Sequence, residues 1–143
     1  MNPKQSVLMP AKILSVDDSQ TVRLMVGAAL VCYDCILCEA ANGAEGLAVA
    51  RREKPDLIVL DVSMPVMDGI TMLTHLKEDP DLKEIPVLML TAVSDHNTVV
   101  HIARLGAHDY LVKPFHEARL LEKIGRLISL RGKQRRHRMH DKC

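Results

Sequence analysis

A chain of 143 residues that is 48% apolar and 26% charged suits one domain with a single core and has the balance of an ordinary globule. Its formal net charge of +1 is unevenly spread: residues 131–143 carry six basic groups against one acidic, a local +5, and residues 1–130 carry thirteen against seventeen, a net of −4. Uncharged runs such as Leu24–Tyr33 and Ile85–Ser94 stop at ten residues, short of the roughly 18 that cross a bilayer, and three aromatics (Tyr33, Tyr110, Phe115) are too few for a platform that stacks single-stranded nucleic acid.

In chain order, Ile13–Val16 reads as a first strand, stopped by Asp17-Asp18-Ser19. Helical spacing runs from Gln20 to about Cys32, with Ser19 placed as N-cap. Cys35–Ala40 is a second strand, Asn42-Gly43 a turn, and Ala44–Glu53 a second helix. The continuous apolar run Asp56–Leu60 is a third strand leading into Asp61. Asp68-Gly69 opens a helix to about Lys77, and Ile85–Leu90 is a fourth buried strand ending at Thr91. Asn97–Leu105 is a helix with Gly106 in the position that follows a helix end, and Asp109–Val112 a short fifth strand into Lys113-Pro114. His116 to about Leu130 completes the series, with Leu120, Leu121, Ile124, Leu127 and Ile128 on one stripe.

Strands alternating with helices, and strands apolar on both faces, predict a doubly wound α/β domain with a five-stranded parallel sheet and five helices. In such sheets ligands bind beyond the carboxyl ends of the strands. Four of the five strands deliver chemistry there: Asp17 and Asp18, Asp61, Thr91 and Lys113. Three converging carboxylates repel one another, each close pair by about 4 kcal/mol at an effective dielectric near 20. A cation between them relieves this, and an oxygen-only donor set favours Mg²⁺ over zinc. With Lys113 as a fixed charge and Thr91 as a hydroxyl donor, the set suits a phosphoryl group. Asp61, ending the apolar run of a central strand, is the candidate nucleophile.

The pieces SVDDS at 15–19, LIVLDVSMPVMDG at 57–69, MLTA at 89–92 and DYLVKPF at 109–115 resemble the receiver domains of two-component response regulators. The intervals from Asp18 to Asp61 (43), Asp61 to Thr91 (30) and Thr91 to Lys113 (22) fit that family, and the resemblance covers about residues 12–130. It implies a flavodoxin-like fold with strand order 2-1-3-4-5. It also implies that Asp61 takes a phosphoryl group from a histidine kinase's phosphohistidine, while Asp17, Asp18, an Asp61 oxygen and the Ser63 carbonyl hold Mg²⁺. Lys113 would pair with Asp61 and then with the phosphate. Thr91 would move toward the phosphoryl group, with Ala92 leaving room for it, and Tyr110 would rotate into the vacated space. The Lys113-Pro114 bond is often cis in similar proteins. The output face would comprise the fourth helix, fifth strand and fifth helix, contacting a downstream protein or a second copy. Ser63 and Val93, which carry no strong acid or amide, imply slow self-hydrolysis.

The expected organisation is thus an extension over residues 1–11, a receiver domain over 12–130 and a basic tail over 131–143, in a cytoplasmic signalling switch that turns over no external substrate. Two other readings stand beside it. One is a receiver cut from a longer regulator with a DNA-binding or enzymatic output domain. The other is a Mg²⁺-dependent hydrolase passing through an aspartyl phosphate, against which Ser63 stands where such enzymes typically place a second Asp. Four cysteines read as reduced thiols, and the C-x-x-C-x-x-C of Cys32, Cys35 and Cys38 as ordinary thiols, since a strand points Cys35 and Cys38 to opposite faces. The seven histidines read as scattered surface residues. The basic tail suits the solvated end of a helix or the start of a linker better than a nucleic-acid arm.

Overall fold

A computed structural model of the chain describes residues 9–93 and 95–133. It contains β1 (Ala11–Val16), α1 (Gln20–Ala29), β2 (Cys35–Ala40), α2 (Gly43–Glu53), β3 (Leu57–Asp61), α3 (Gly69–Glu78), β4 (Val87–Thr91), α4 (His96–Arg104), β5 (Asp109–Val112) and α5 (Glu117–Leu127). The strands form one sheet in the order β2-β1-β3-β4-β5, every neighbouring pair parallel. The doubly wound α/β architecture and its strand order are those expected.

The pleat sorts the apolar residues into two layers, because successive side chains of a strand point to opposite faces. Leu14, Val16, Ile58, Leu60, Val87 and Met89 pack with Leu47 and Ala50 of α2, Met72, Leu73 and Leu76 of α3 and Ile102 of α4. Ile13, Leu57, Val59, Leu88, Leu90 and Leu111 pack with Val26 and Ala29 of α1 and Leu120 and Ile124 of α5. Every residue of β3 and β4 is buried, which is why these two strands read as unbroken apolar runs.

Helix starts follow the capping rules. Ser19, Asn42, Asp68 and Asp95 each accept a backbone N–H three residues on. Gly106 follows α4 with φ of +100°, a conformation that glycine adopts without strain. Several boundaries differ from the sequence reading for local reasons. β4 begins at Val87 rather than Ile85, since Pro86 has no N–H to give a ladder and Ile85 N–H closes a turn onto Leu82. The first helix ends at Ala29, and Leu30–Tyr33 fold into a turn closed by Tyr33 N–H on the Leu30 carbonyl at 3.0 Å.

The last helix ends at Leu127, where Ile128 turns extended. The chain then runs back against residues 32–34: Tyr33 bridges Gly132, Asp34 N–H reaches the Arg131 carbonyl at 2.8 Å, and Lys133 N–H reaches the Cys32 carbonyl at 2.9 Å. The Arg131 guanidinium also meets Asp34 at 2.8 Å. Among the described cysteines the expectation of reduced thiols fails at one position. Cys32 is disulfide-bonded, whereas Cys35 and Cys38 are free. Spacing along the chain could not show this, because a bridge depends on which thiols the folded backbone brings within reach. Most of the expected extension (residues 1–8) and of the basic tail (134–143), including His137, His140 and Cys143, lies outside the described residues. Among the described residues no helix is long and apolar enough to cross a membrane.

Candidate functional site

The register of the sheet assembles the candidate residues. Val16 pairs with Leu60, so the next residues, Asp17 and Asp61, leave adjacent strands side by side. Thr91 pairs with Val112, which places Lys113 one step beyond it. By pleat parity Asp17, Asp61 and Lys113 belong to the α1/α5 face, whereas Thr91 and Tyr110 belong to the face covered by α2, α3 and α4. The contacts agree with this. Lys113 Nζ lies 2.8 Å from Asp17 Oδ2 and 3.0 Å from Asp61 Oδ1, while Tyr110 packs against the other layer.

Both bridged carboxylates are nearly inaccessible, with side chains 1% (Asp17) and 7% (Asp61) exposed. Asp17 also accepts Ser19 N–H at 2.9 Å. Its neighbour Asp18 is exposed, so the tandem pair divides into one anchored and one free carboxylate. Ligand oxygens of Asp17, Asp18 and Asp61 all lie within 4.8 Å of one another. Burial pushes the Asp61 carboxyl up, and the charge of Asp17 adds to this; the Lys113 hydrogen bond and the Ser63 N–H oppose it. For Lys113 burial acts downward, but its hydrogen bonds to Asp17 and Asp61 outweigh it and hold the ammonium above its ordinary value.

Thr91 is buried, and its hydroxyl is occupied locally: Oγ1 donates to the Val93 carbonyl at 3.0 Å and accepts Val93 N–H at 3.1 Å. Tyr110 is partly buried, opposite Met89 of β4. The Lys113-Pro114 peptide bond is cis. Gly69 permits the close seating of α3 on the end of β3, for a Cβ there would lie 2.0 Å from the Asp61 carbonyl oxygen.

Two supporting groups escaped the sequence reading. Arg23 of α1 donates to the Asp17 carbonyl at 2.6 Å and to Glu39 at 3.0 Å, tying the first acidic turn to β2. Its position one helical turn after Ser19 was a usable signal. Lys123 of α5 is buried, hydrogen-bonds Asp109 at 2.9 Å and lies 5.5 Å above the Tyr110 ring. A lysine three residues after Leu120, inside the apolar stripe, marked that site in the sequence.

Three oxygen-donor carboxylates facing one lysine can hold a hard divalent cation, so the residues present fit Mg²⁺. An acidic cluster with a bridging lysine at the carboxyl edge of a doubly wound parallel sheet defines the class, a flavodoxin-like α/β domain with its site at the strand ends. The chain belongs to the response regulator receiver domain family, whose profile matches residues 13–125. It is similar to protein PilH of Pseudomonas aeruginosa, 37% identical over 119 residues that make up 83% of this chain and 98% of that protein. It is also similar to chemotaxis protein CheY of Bacillus subtilis, 34% identical over 85% of this chain and all of that one. Among solved structures, chemotaxis protein CheY4 of Vibrio cholerae matches with a TM-score of 0.79 and 36% identity over 83% of this chain and 99% of its own.

Proposed function

We propose that this receiver domain is a phosphorylation-controlled switch of a two-component system, working in the cytoplasm with Asp61 as phosphoacceptor. The observation that carries the reading is the placement of Asp61: buried at the end of a central strand, 3.0 Å from Lys113 and within the carboxylate cluster. An Asp61 carboxylate oxygen attacks phosphorus on the phosphohistidine of a sensor kinase or phosphotransfer protein. The new O–P bond forms as the N–P bond breaks, and the departing imidazole takes up a proton. Asp17, Asp18, Asp61 and the Ser63 carbonyl would hold Mg²⁺, which when bound offsets negative charge on the phosphoryl oxygens. Lys113, already hydrogen-bonded to Asp61, keeps its charge at the point where the transferred group arrives.

The readout then follows from Thr91. Its hydroxyl exchanges the Val93 carbonyl for a phosphoryl oxygen, and Tyr110, on the same face of the sheet, moves into the space released. The changed surface comprises α4, β5 and α5, and its partner is a downstream protein or a second copy. Ser63 and Val93 offer no side chain that aligns an attacking water, so self-hydrolysis is slow.

Incubation with acetyl phosphate and Mg²⁺ tests the assignment. One phosphoryl group per chain is expected by intact-mass measurement, lost in Asp61→Ala. Labelling that persists in Asp61→Ala overturns the assignment of the acceptor, and many turnovers of acetyl phosphate per chain point instead to a hydrolase.

A further inference from the structure

The second strand sends no site residue of its own to the acidic edge, but one side chain ties it there. Arg23, one turn into α1, donates from Nη1 to the Asp17 carbonyl at 2.6 Å and from Nε to Glu39 at 3.0 Å. Glu39 lies opposite Ser15 in the β1–β2 register, near the carboxyl end of β2. The guanidinium thus spans from β2 to the turn after β1, and its side chain is only 17% exposed. A planar fork with donors facing two directions can hold both partners at once, which an ammonium on a flexible stem cannot.

The bond to the Asp17 carbonyl bears on the residue that follows. Asp17 is held at every polar atom: its N–H donates to the Ala40 carbonyl at 3.1 Å, Oδ1 accepts Ser19 N–H, Oδ2 meets Lys113, and its carbonyl accepts Arg23. Asp18 is exposed, and no hydrogen bond or ion pair among the described residues restrains its carboxylate. Its oxygen nevertheless lies within 4.8 Å of those of Asp17 and Asp61. The carbonyl that Arg23 holds belongs to the planar peptide joining Asp17 to Asp18, so this bond sets the direction in which Asp18 leaves the turn. A small hard cation demands near-ideal ligand geometry, and a carboxylate already aimed has less freedom to lose on binding it. The charge of Arg23 alone opposes a cation nearby, but Glu39 offsets that charge and leaves the geometric contribution.

We propose that Arg23, braced by Glu39, is a positioning residue for the cation: through the Asp17 carbonyl it holds Asp18 ready for Mg²⁺ and so sets the affinity of the cluster. This rests on the reading of the three carboxylates as a Mg²⁺ site. The test is calorimetric titration of Mg²⁺ into the unphosphorylated full chain, with folding checked by circular dichroism. Arg23→Met is expected to raise the Kd about tenfold, the loss typical when a group that orients a metal ligand is removed. Arg23→Lys keeps the charge without the fork and also weakens binding, by a smaller factor, whereas Glu39→Gln keeps an acceptor for Nε and stays close to the wild type. In labelling with acetyl phosphate, the Mg²⁺ concentration at half-maximal rate rises with the Kd of Arg23→Met, and the rate at saturating Mg²⁺ is retained. Should Arg23→Met fail to fold, Arg23→Lys carries the test. Mg²⁺ bound as tightly as in the wild type, or more tightly, as a merely repelling charge would give, overturns the proposal. So does the pattern of a charge effect, with Arg23→Lys unchanged and Glu39→Gln impaired. A wild type that binds no Mg²⁺ overturns the reading of the cluster as a metal site instead.

Discussion

Two lysines bracket β5, and the same hydrogen-bonding chemistry serves different ends at each. Past the carboxyl end of the strand, Lys113 reaches Asp17 and Asp61 at 2.8 and 3.0 Å, with the exposed Asp18 close by. At the other end, Lys123 of α5 reaches Asp109 at 2.9 Å and covers the Tyr110 ring. The second constellation is balanced, one ammonium to one carboxylate with an aromatic face beside them, so its charges are satisfied and it joins α5 to β5. The first is unbalanced, three carboxylates to one ammonium, and retains capacity for further positive charge. The difference lies in stoichiometry rather than in bond geometry, which is alike at the two ends.

Removing each lysine breaks the comparison most directly. Lys113→Met leaves Asp17 and Asp61 facing one another with their shared partner gone, and loss of one member of a buried pair costs about 3 kcal/mol or more. Urea unfolding should register that loss, and added Mg²⁺ should restore part of it, because a cation can replace the missing charge among the three carboxylates. Unchanged stability, or no Mg²⁺ response, would show that Lys113 does not balance the cluster. Lys123→Met leaves only Asp109 unpaired, and its side chain is 22% exposed. The expected loss is about 1–2 kcal/mol in the same assay. No gain from Mg²⁺ beyond that of the wild type should accompany it. A larger Mg²⁺ response would mean that the balanced end also recruits cations.

The smallest effect concerns a third basic residue beside the same strand. His108 immediately precedes β5, and its Nδ1 accepts Val87 N–H at 3.2 Å, an arrangement that requires the neutral ring. Burial holds its pKa below the ordinary histidine value, and the Lys77 charge acts in the same direction. A group with a depressed folded-state pKa contributes stability above its unfolded pKa and loses it as pH falls through the folded value. Wild-type unfolding free energy should therefore decline more than that of His108→Asn as pH drops from about 7 to 5. Parallel pH profiles for the two proteins would remove His108 from the account.

Much of the site was legible because of where the apolar runs stop. Asp17-Asp18, Asp61, Thr91 and Lys113 each follow a strand pattern, and parallel topology sends all such ends to one edge of the sheet. The division of labour within the tandem aspartates was not legible. Which of Asp17 and Asp18 turns inward depends on how β1 is registered against β3, a relation between residues more than forty positions apart. Lys123 was read as part of a helix and not as a partner of Asp109, since that contact needs α5 docked on β5. Val66 carries no sequence mark of its positive φ, because hydrogen bonds from Gly43 and Gly69 impose it. That Cys32 is bridged while Cys35 and Cys38 are free likewise follows from no spacing rule.

Taken alone, the residue order determined the alternation of strands and helices, the parallel sheet, the acidic edge and the family to which the chain belongs. These follow from local periodicity and from the polar residues that end each apolar run, properties that a linear chain already carries. The tertiary structure decided that Lys113 bridges two buried carboxylates while Asp18 stays free, that Lys123 closes a second, balanced pair, and that a valine in the loop after β3 is held strained and exposed. Each of these arises from groups distant in sequence meeting in space, where burial removes water and makes the balance of charges matter.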